Sequence, residues 1–183
     1  CYTQKQTQSV YQNDQALSST RSYDYDEMGN LTTYAIDGEL TAAITYHTHD
    51  IVKNAPQSIE VSGGGTTLQK RSSLIDKKGN ITQFSVQVDE ATVALYNITY
   101  DTFGNIATFT RPENNQAERV SVKVKYDDVQ QLYPIEVSDS YGFTSKTQYH
   151  DLFCLPTQQT NINGSSVTYT YDSKGRLTSL RAP

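Results

Sequence analysis

The sequence predicts an all-β protein of antiparallel β-hairpin repeats that extend one after another into a sheet. Three observations point there. A short pattern recurs along the 183 residues, first as "YDEMGNLTTY" from Tyr25, then as "YDTFGNIATF" from Tyr100 and "YDSKGRLTSL" from Tyr171, and a motif that repeats describes how a chain is built more often than what it reacts with. The composition is rich in Thr, Ser, Gln and Asn and includes 14 Tyr, no Trp and one Met, a mixture of β-branched, aromatic and turn-forming residues that favours strands over helices. Segments between the turn signals alternate apolar with polar residues, as half-buried strands do.

In chain order, residues 1–20 carry no copy of the motif and form a poorly patterned lead-in, while residues 21–183 form the repeat region. The first copy sets the logic. Asp26 can accept hydrogen bonds from backbone N–H groups further along the turn, two permissive residues follow, and Gly29 supplies the left-handed conformation that a β-carbon would penalise. That is a type I turn closed by a Gly bulge, a common hairpin connection. "IDGEL" at Ile36 and "SGGGT" at Ser62 are further hairpin signals, the second read as a flexible loop inside a stretch, "SIEVSGGGTTLQKRSSL", that is longer than an ideal repeat. In "IDKKGNIT" Asp76, Gly79 and Asn80 keep the turn while Ile75 replaces the Tyr. "ITQFSVQV" then alternates Ile81, Phe84, Val86 and Val88 with polar residues.

Asp101, Gly104 and Asn105 repeat the turn after Tyr100, and "RPENNQ" at Arg111 precedes the alternating strand "RVSVKVKY". "SDSYGFT" keeps Asp139 and Gly142 without the Tyr; "INGSS" at Ile162 is another hairpin signal; Asp172, Gly175 and Arg176 close the series after Tyr171. The C-terminal part aligns with itself one hairpin on, pairing Pro134 with Pro156, Gly142 with Gly164 and Tyr149 with Tyr171. Hairpins added in this way extend a ribbon, which needs neighbours at its ends.

Charge and composition exclude several functions. A net charge of -5 provides no basic stripe for phosphates and no polybasic membrane contact, so nucleic acid is not an expected partner. No apolar run reaches the ~18 residues of a spanning helix, and no signal-peptide pattern opens the chain. Cys1 and Cys154 stand far apart, which removes a thiolate metal site or disulfide framework. Cys1 is either the lipid-bearing residue of a processed bacterial lipoprotein or simply where the segment starts, and Cys154 reads as a small buried hydrophobe.

No catalytic, cofactor or metal site is expected. His47, His49 and Asp50 in "TYHTHDI" place two imidazoles on one strand face, but no third ligand follows at a telling distance. The repeated aspartates sit in a D-x-x-G context that explains them as turn-formers rather than as paired glycosidase carboxylates. "SGGGTT" lacks the Lys and the helix of a phosphate cradle. Asn30, Asn80, Asn97 and Asn163 begin N-x-S/T, but three of them occupy turns that favour Asn for its backbone geometry.

On Tyr25, Asp26, Gly29 and Asn30, on Tyr100, Asp101, Gly104 and Asn105, and on Tyr171, Asp172, Gly175 and Arg176, the chain resembles the Rhs/YD-repeat family. Its C-terminal half in particular resembles repeats in the B component of bacterial insecticidal toxin complexes. The resemblance implies a curved strip of a hollow β-sheet shell that holds a toxic passenger domain sequestered until delivery. It therefore implies a secreted or cell-surface bacterial protein whose partners are the rest of the parent shell and the enclosed toxin. The family's aspartyl autoprotease motif, with its D-P-x-G stretch, does not occur here, so no catalytic residue carries over. A second reading is an extracellular adhesion or carbohydrate-binding module, in which exposed Tyr and amide side chains meet glycans.

Overall fold

A computed structural model describes residues 2–12, 15–48 and 52–183. Among these residues the chain forms fifteen strands and no helix. Contacts divide it into two units, residues 1–95 and 96–183. The first holds β1 (Lys5–Gln12), β2 (Gln15–Tyr25), β3 (Leu31–Ile36), β4 (Leu40–Tyr46), β5 (Pro56–Gly63), β6 (Thr66–Ile75) and β7 (Ile81–Gln87), and β8 (Val93–Tyr100) starts at its end. The second continues with β9 (Ile106–Glu113), β10 (Arg119–Tyr126), β11 (Pro134–Asp139), β12 (Thr144–Tyr149), β13 (Pro156–Thr160), β14 (Ser166–Tyr171) and β15 (Leu177–Arg181).

Within each unit every strand pairs antiparallel with its neighbours in the chain, because connections of two to nine residues reach only the adjacent strand. Since paired residues share a face, the register sorts side chains cleanly. In the first unit one face carries the row Tyr23, Tyr34, Ala42 and Val61, with Ile44, Ile59, Arg71 and Val86 in a neighbouring row. The other carries Thr45, Ser58, Ser72 and Ser85, whose hydroxyls pair at 2.6 Å across β4–β5 and again across β6–β7.

The second unit repeats this division. Ile98, Phe109 and Val122 form one row, with Val124 and Val137 beside it. The opposite face carries Thr99, Thr108, Lys123 and Ser138, and a cross-strand row of Lys125, Glu136 and Lys146 in which Lys146 bridges to Glu136 at 3.3 Å. Among the described residues no side chain is fully buried. Among the described residues the apolar rows are half-covered.

Two expectations need correction. "SGGGTT" is no flexible loop: Gly64 and Gly65, with φ of 58° and 80°, form a tight turn between β5 and β6, the geometry that two positive-φ residues give a hairpin. The long stretch around it is therefore one hairpin, with a bulge where the register shifts between Val61 and Ser62. Cys154 is half-exposed rather than buried; its φ is 55° and its thiol meets the Gln130 side chain at 3.4 Å. Loop geometry holds it at the surface, where sequence alone suggests a packed hydrophobe. Ahead of the first motif, residues 5–12 form β1 and residues 15–20 the first part of β2, paired from Lys5 and Ser22 to Gln12 and Gln15.

Candidate functional site

The recurring unit is a strand end, a turn and the start of the next strand. Asp26 Oδ1 accepts N–H bonds from Met28 at 2.9 Å and Asn30 at 2.8 Å, and Oδ2 accepts the Asn30 side-chain amide at 2.9 Å. The Asp26 N–H returns to the Asn30 carbonyl, and Gly29, at φ 84°, donates to the Asp26 carbonyl. Asp76 and Asp101 make the same set with Lys78 and Asn80, and with Phe103 and Asn105. Gly79 and Gly104 are likewise left-handed. Asp172 takes the N–H groups of Lys174 and Arg176, and the Arg176 guanidinium at 2.7 Å replaces the Asn amide. Asp139 takes Tyr141 and Phe143, with Gly142 at φ 89°.

These bonds act on the charged form of the carboxylate, so at Asp26, Asp76, Asp101 and Asp172 they hold it below the ordinary value. The Asn30 side chain leads at Asp26, the Asn80 N–H at Asp76 and the Arg176 N–H at Asp172. At Asp101 partial burial pushes upward but is outweighed by the bonds from Asn105 and Phe103.

The aromatic before the Asp sits at a register slip. Tyr25 pairs with Leu31, Tyr100 with Ile106 and Tyr171 with Leu177, each one residue out of step with its strand. Such a bulge re-aims the side chain; Tyr46, Tyr126 and Tyr149 sit at the same kind of slip and share one use of it with Tyr171. Tyr46 donates its hydroxyl to the Leu31 carbonyl at 2.9 Å, Tyr126 to Ile106 at 3.2 Å, Tyr149 to Pro134 at 3.0 Å and Tyr171 to Pro156 at 2.7 Å. Each pins the end of one strand to the start of the preceding one. Rings also meet: Tyr2 stacks on Tyr25 at 4.9 Å, and Tyr133 lies 5.2 Å from Tyr149. The hydroxyl bond was not legible from the repeat, because its partner is a backbone atom.

Sequence reasoning also missed further copies. Asn161 replaces Asp, with Oδ1 accepting from Asn163 and Ser165 and Gly164 at φ 81°. Asn114 does the same for Gln116 and Glu118, with Ala117 left-handed at φ 59° in the glycine's place. Three wider loops follow Tyr46, Tyr126 and Tyr149 and end at Pro56, Pro134 and Pro156. Each closes through the N–H of its first residue: His47 to Ala55, Asp127 to Tyr133, His150 to Leu155. The Tyr-x…x-Pro spacing is the signal that could have found them.

Of the histidine cluster, His49 and Asp50 lie outside the described residues. His47 Nε2 is 3.1 Å from the Ser73 hydroxyl. No group of metal-ligating side chains assembles among the described residues, and no helix is long and apolar enough to cross a membrane.

Residues 155–183, which carry β13 to β15 with the Asp172 turn and the Tyr171–Pro156 bond, match the family model described as RHS Repeat. The chain carries an RHS repeat. No curated protein sequence matches it, but solved structures share its fold. The crystal structure of TcdB2-TccC3-Cdc42 superposes with a TM-score of 0.68 at 13% identity, over 98% of this chain and 11% of that chain. The Photorhabdus luminescens Tc holotoxin pore, bearing a TccC3 mutation, gives 0.67 at 13% identity, over 97% and 10%. TcdB2-TccC3 gives 0.63 at 12%, over 97% and 15%. The RHS-repeat chain thus spans between a tenth and a sixth of each, and at these identities the likeness is one of fold.

Proposed function

We propose that this RHS-repeat chain is a non-enzymatic segment of the wall of a toxin-complex shell, secreted or displayed at a bacterial surface, which encloses a toxic passenger domain. The observation that carries it is the sheet without a core. Apolar and aromatic rows line one face of each unit, yet no described side chain is fully buried. A stand-alone soluble domain rarely leaves so much apolar surface uncovered, whereas a wall segment has it covered by what the wall encloses or adjoins.

The mechanism is steric. Backbone pairing from hairpin to hairpin makes a continuous barrier, and confinement behind it denies a passenger the volume in which to fold or act. The turn aspartates and the bulge tyrosines serve that barrier by fixing each strand end.

The test uses the full-length parent protein with its C-terminal passenger. Limited proteolysis should leave the passenger intact while free passenger is degraded under the same conditions. Equal cleavage rates for the two would exclude enclosure and leave an adhesive surface as the better account.

A further inference from the structure

Two neighbouring loops of the second unit solve one problem with different acceptors. The β10–β11 loop folds around Asp127, whose carboxylate takes the N–H groups of Val129, Gln130, Leu132 and Tyr133 at 2.6–3.2 Å. In the β12–β13 loop the same position is His150. Its Nδ1 takes the N–H of Leu152 at 3.1 Å and lies 3.4 Å from that of Phe153. Between the loops lies a cavity of about 300 Å³.

We propose that His150 makes the β12–β13 loop an acid-released latch: protonation of the imidazole at Nδ1 removes the acceptor that holds Leu152 and Phe153, and the loop lets go of both its neighbours. Only an unprotonated Nδ1 has a lone pair for a backbone N–H; an imidazolium donates from both nitrogens. The folded loop therefore needs the neutral ring. An imidazolium cannot hold the loop, and histidine is the side chain that exchanges its neutral and charged forms in mildly acidic solution.

Asp127 and Asp151 share the cavity with His150, together with the Tyr133 and Tyr149 phenols and the Cys154 thiol. On the other side Phe153, whose ring centre is 4.7 Å from that of His150, lies under the turn built by Asp172, Lys174 and Arg176, within 3.2 Å of where a β-carbon on Gly175 would stand. Release of the loop frees Phe153 from that turn and Cys154 from Gln130. Three successive turns on one rim of the sheet would then uncouple.

Amide hydrogen exchange in the full-length chain reads this directly, at about pH 7.5 and about pH 5.5 and corrected for intrinsic rates. Protection at Leu152 and Phe153 should fall about tenfold in acid, while that at Gln130 and Tyr133, held by Asp127, stays constant. In His150→Asn, a side chain that Asn114 and Asn161 show can hold such a turn, the acid loss should disappear. Unchanged protection at Leu152 in the wild type, a uniform loss at all four amides, or an equal loss in His150→Asn would each overturn the latch. Because every outcome is local to one loop, it stands or falls independently of whether a passenger is enclosed.

Discussion

The hydroxyl of Tyr171 donates to the carbonyl oxygen of Pro156 at 2.7 Å, tying the last residue of β14 to the first residue of β13. Tyr149 does the same to Pro134 one hairpin earlier. In a sheet with no buried core, such ties replace part of what core packing supplies elsewhere. Tyr171→Phe keeps the ring and removes only the donor, so it should cost about 1 kcal/mol. Thermal melts of the single variant and of the Tyr149→Phe, Tyr171→Phe pair test this. Losses that add mean independent ties, and no loss in either would show that water replaces the bond at no cost.

Gly104 and Gly175 occupy equivalent turns at φ of 93° and 76°, but differ in what lies beside them. A β-carbon on Gly104 would meet nothing within 4 Å, whereas one on Gly175 would come within 3.2 Å of the Phe153 ring. Gly104→Ala therefore measures backbone strain alone, about 1–2 kcal/mol. Gly175→Ala should lose more, and the excess should vanish when Phe153 is also replaced by Ala. Equal losses at the two glycines would mean that the Phe153 contact is not rigid enough to matter.

How much of this was legible follows from the range of each interaction. Asp26, Gly29 and Asn30 bond within five residues of one another, so pattern alone carries the turn, and alternation such as Val120, Val122 and Val124 carries the strands. The Tyr46–Leu31 tie joins residues on different strands, and nothing local marks the acceptor. The Asp127 and His150 loops were passed over because insertions between Tyr and Pro break the D-x-x-G spacing while keeping its first hydrogen bond. The absence of a core was equally unreadable, since alternation fixes which residues share a face and says nothing about what covers it.

Ala117 stands in the left-handed conformation, at φ 59°, where sister turns place glycine. Its N–H still donates to the Asn114 carbonyl at 3.0 Å, so the turn is complete and only the β-carbon is out of place. Ala117→Gly removes that strain and raises the entropy of the unfolded chain, and the first effect is the larger. A net gain of about 0.5–1 kcal/mol is expected, read as a higher melting temperature. A lower one would mean that the turn tolerates alanine without strain.

Asp127 provides the acid-side counterpart to His150. Hydrogen bonds from the N–H groups of Tyr133 and Gln130, then Leu132 and Val129, lower its carboxyl to about 2, against partial burial that works the other way. A folded-state value below the unfolded one means the unfolded chain takes up the proton first as pH falls. The stabilisation is therefore complete above the ordinary carboxylate range and is lost as pH falls toward about 2. Asp127→Asn keeps a single oxygen where the loop uses two, so it should melt below the wild type near neutral pH. The gap should narrow below about pH 4 and close near the value at which the wild-type carboxylate takes up its proton. Melting temperatures recorded across that acid range decide it: a gap of constant size would mean that Asp127 acts through shape alone, and the charge-assisted account of the loop would fail.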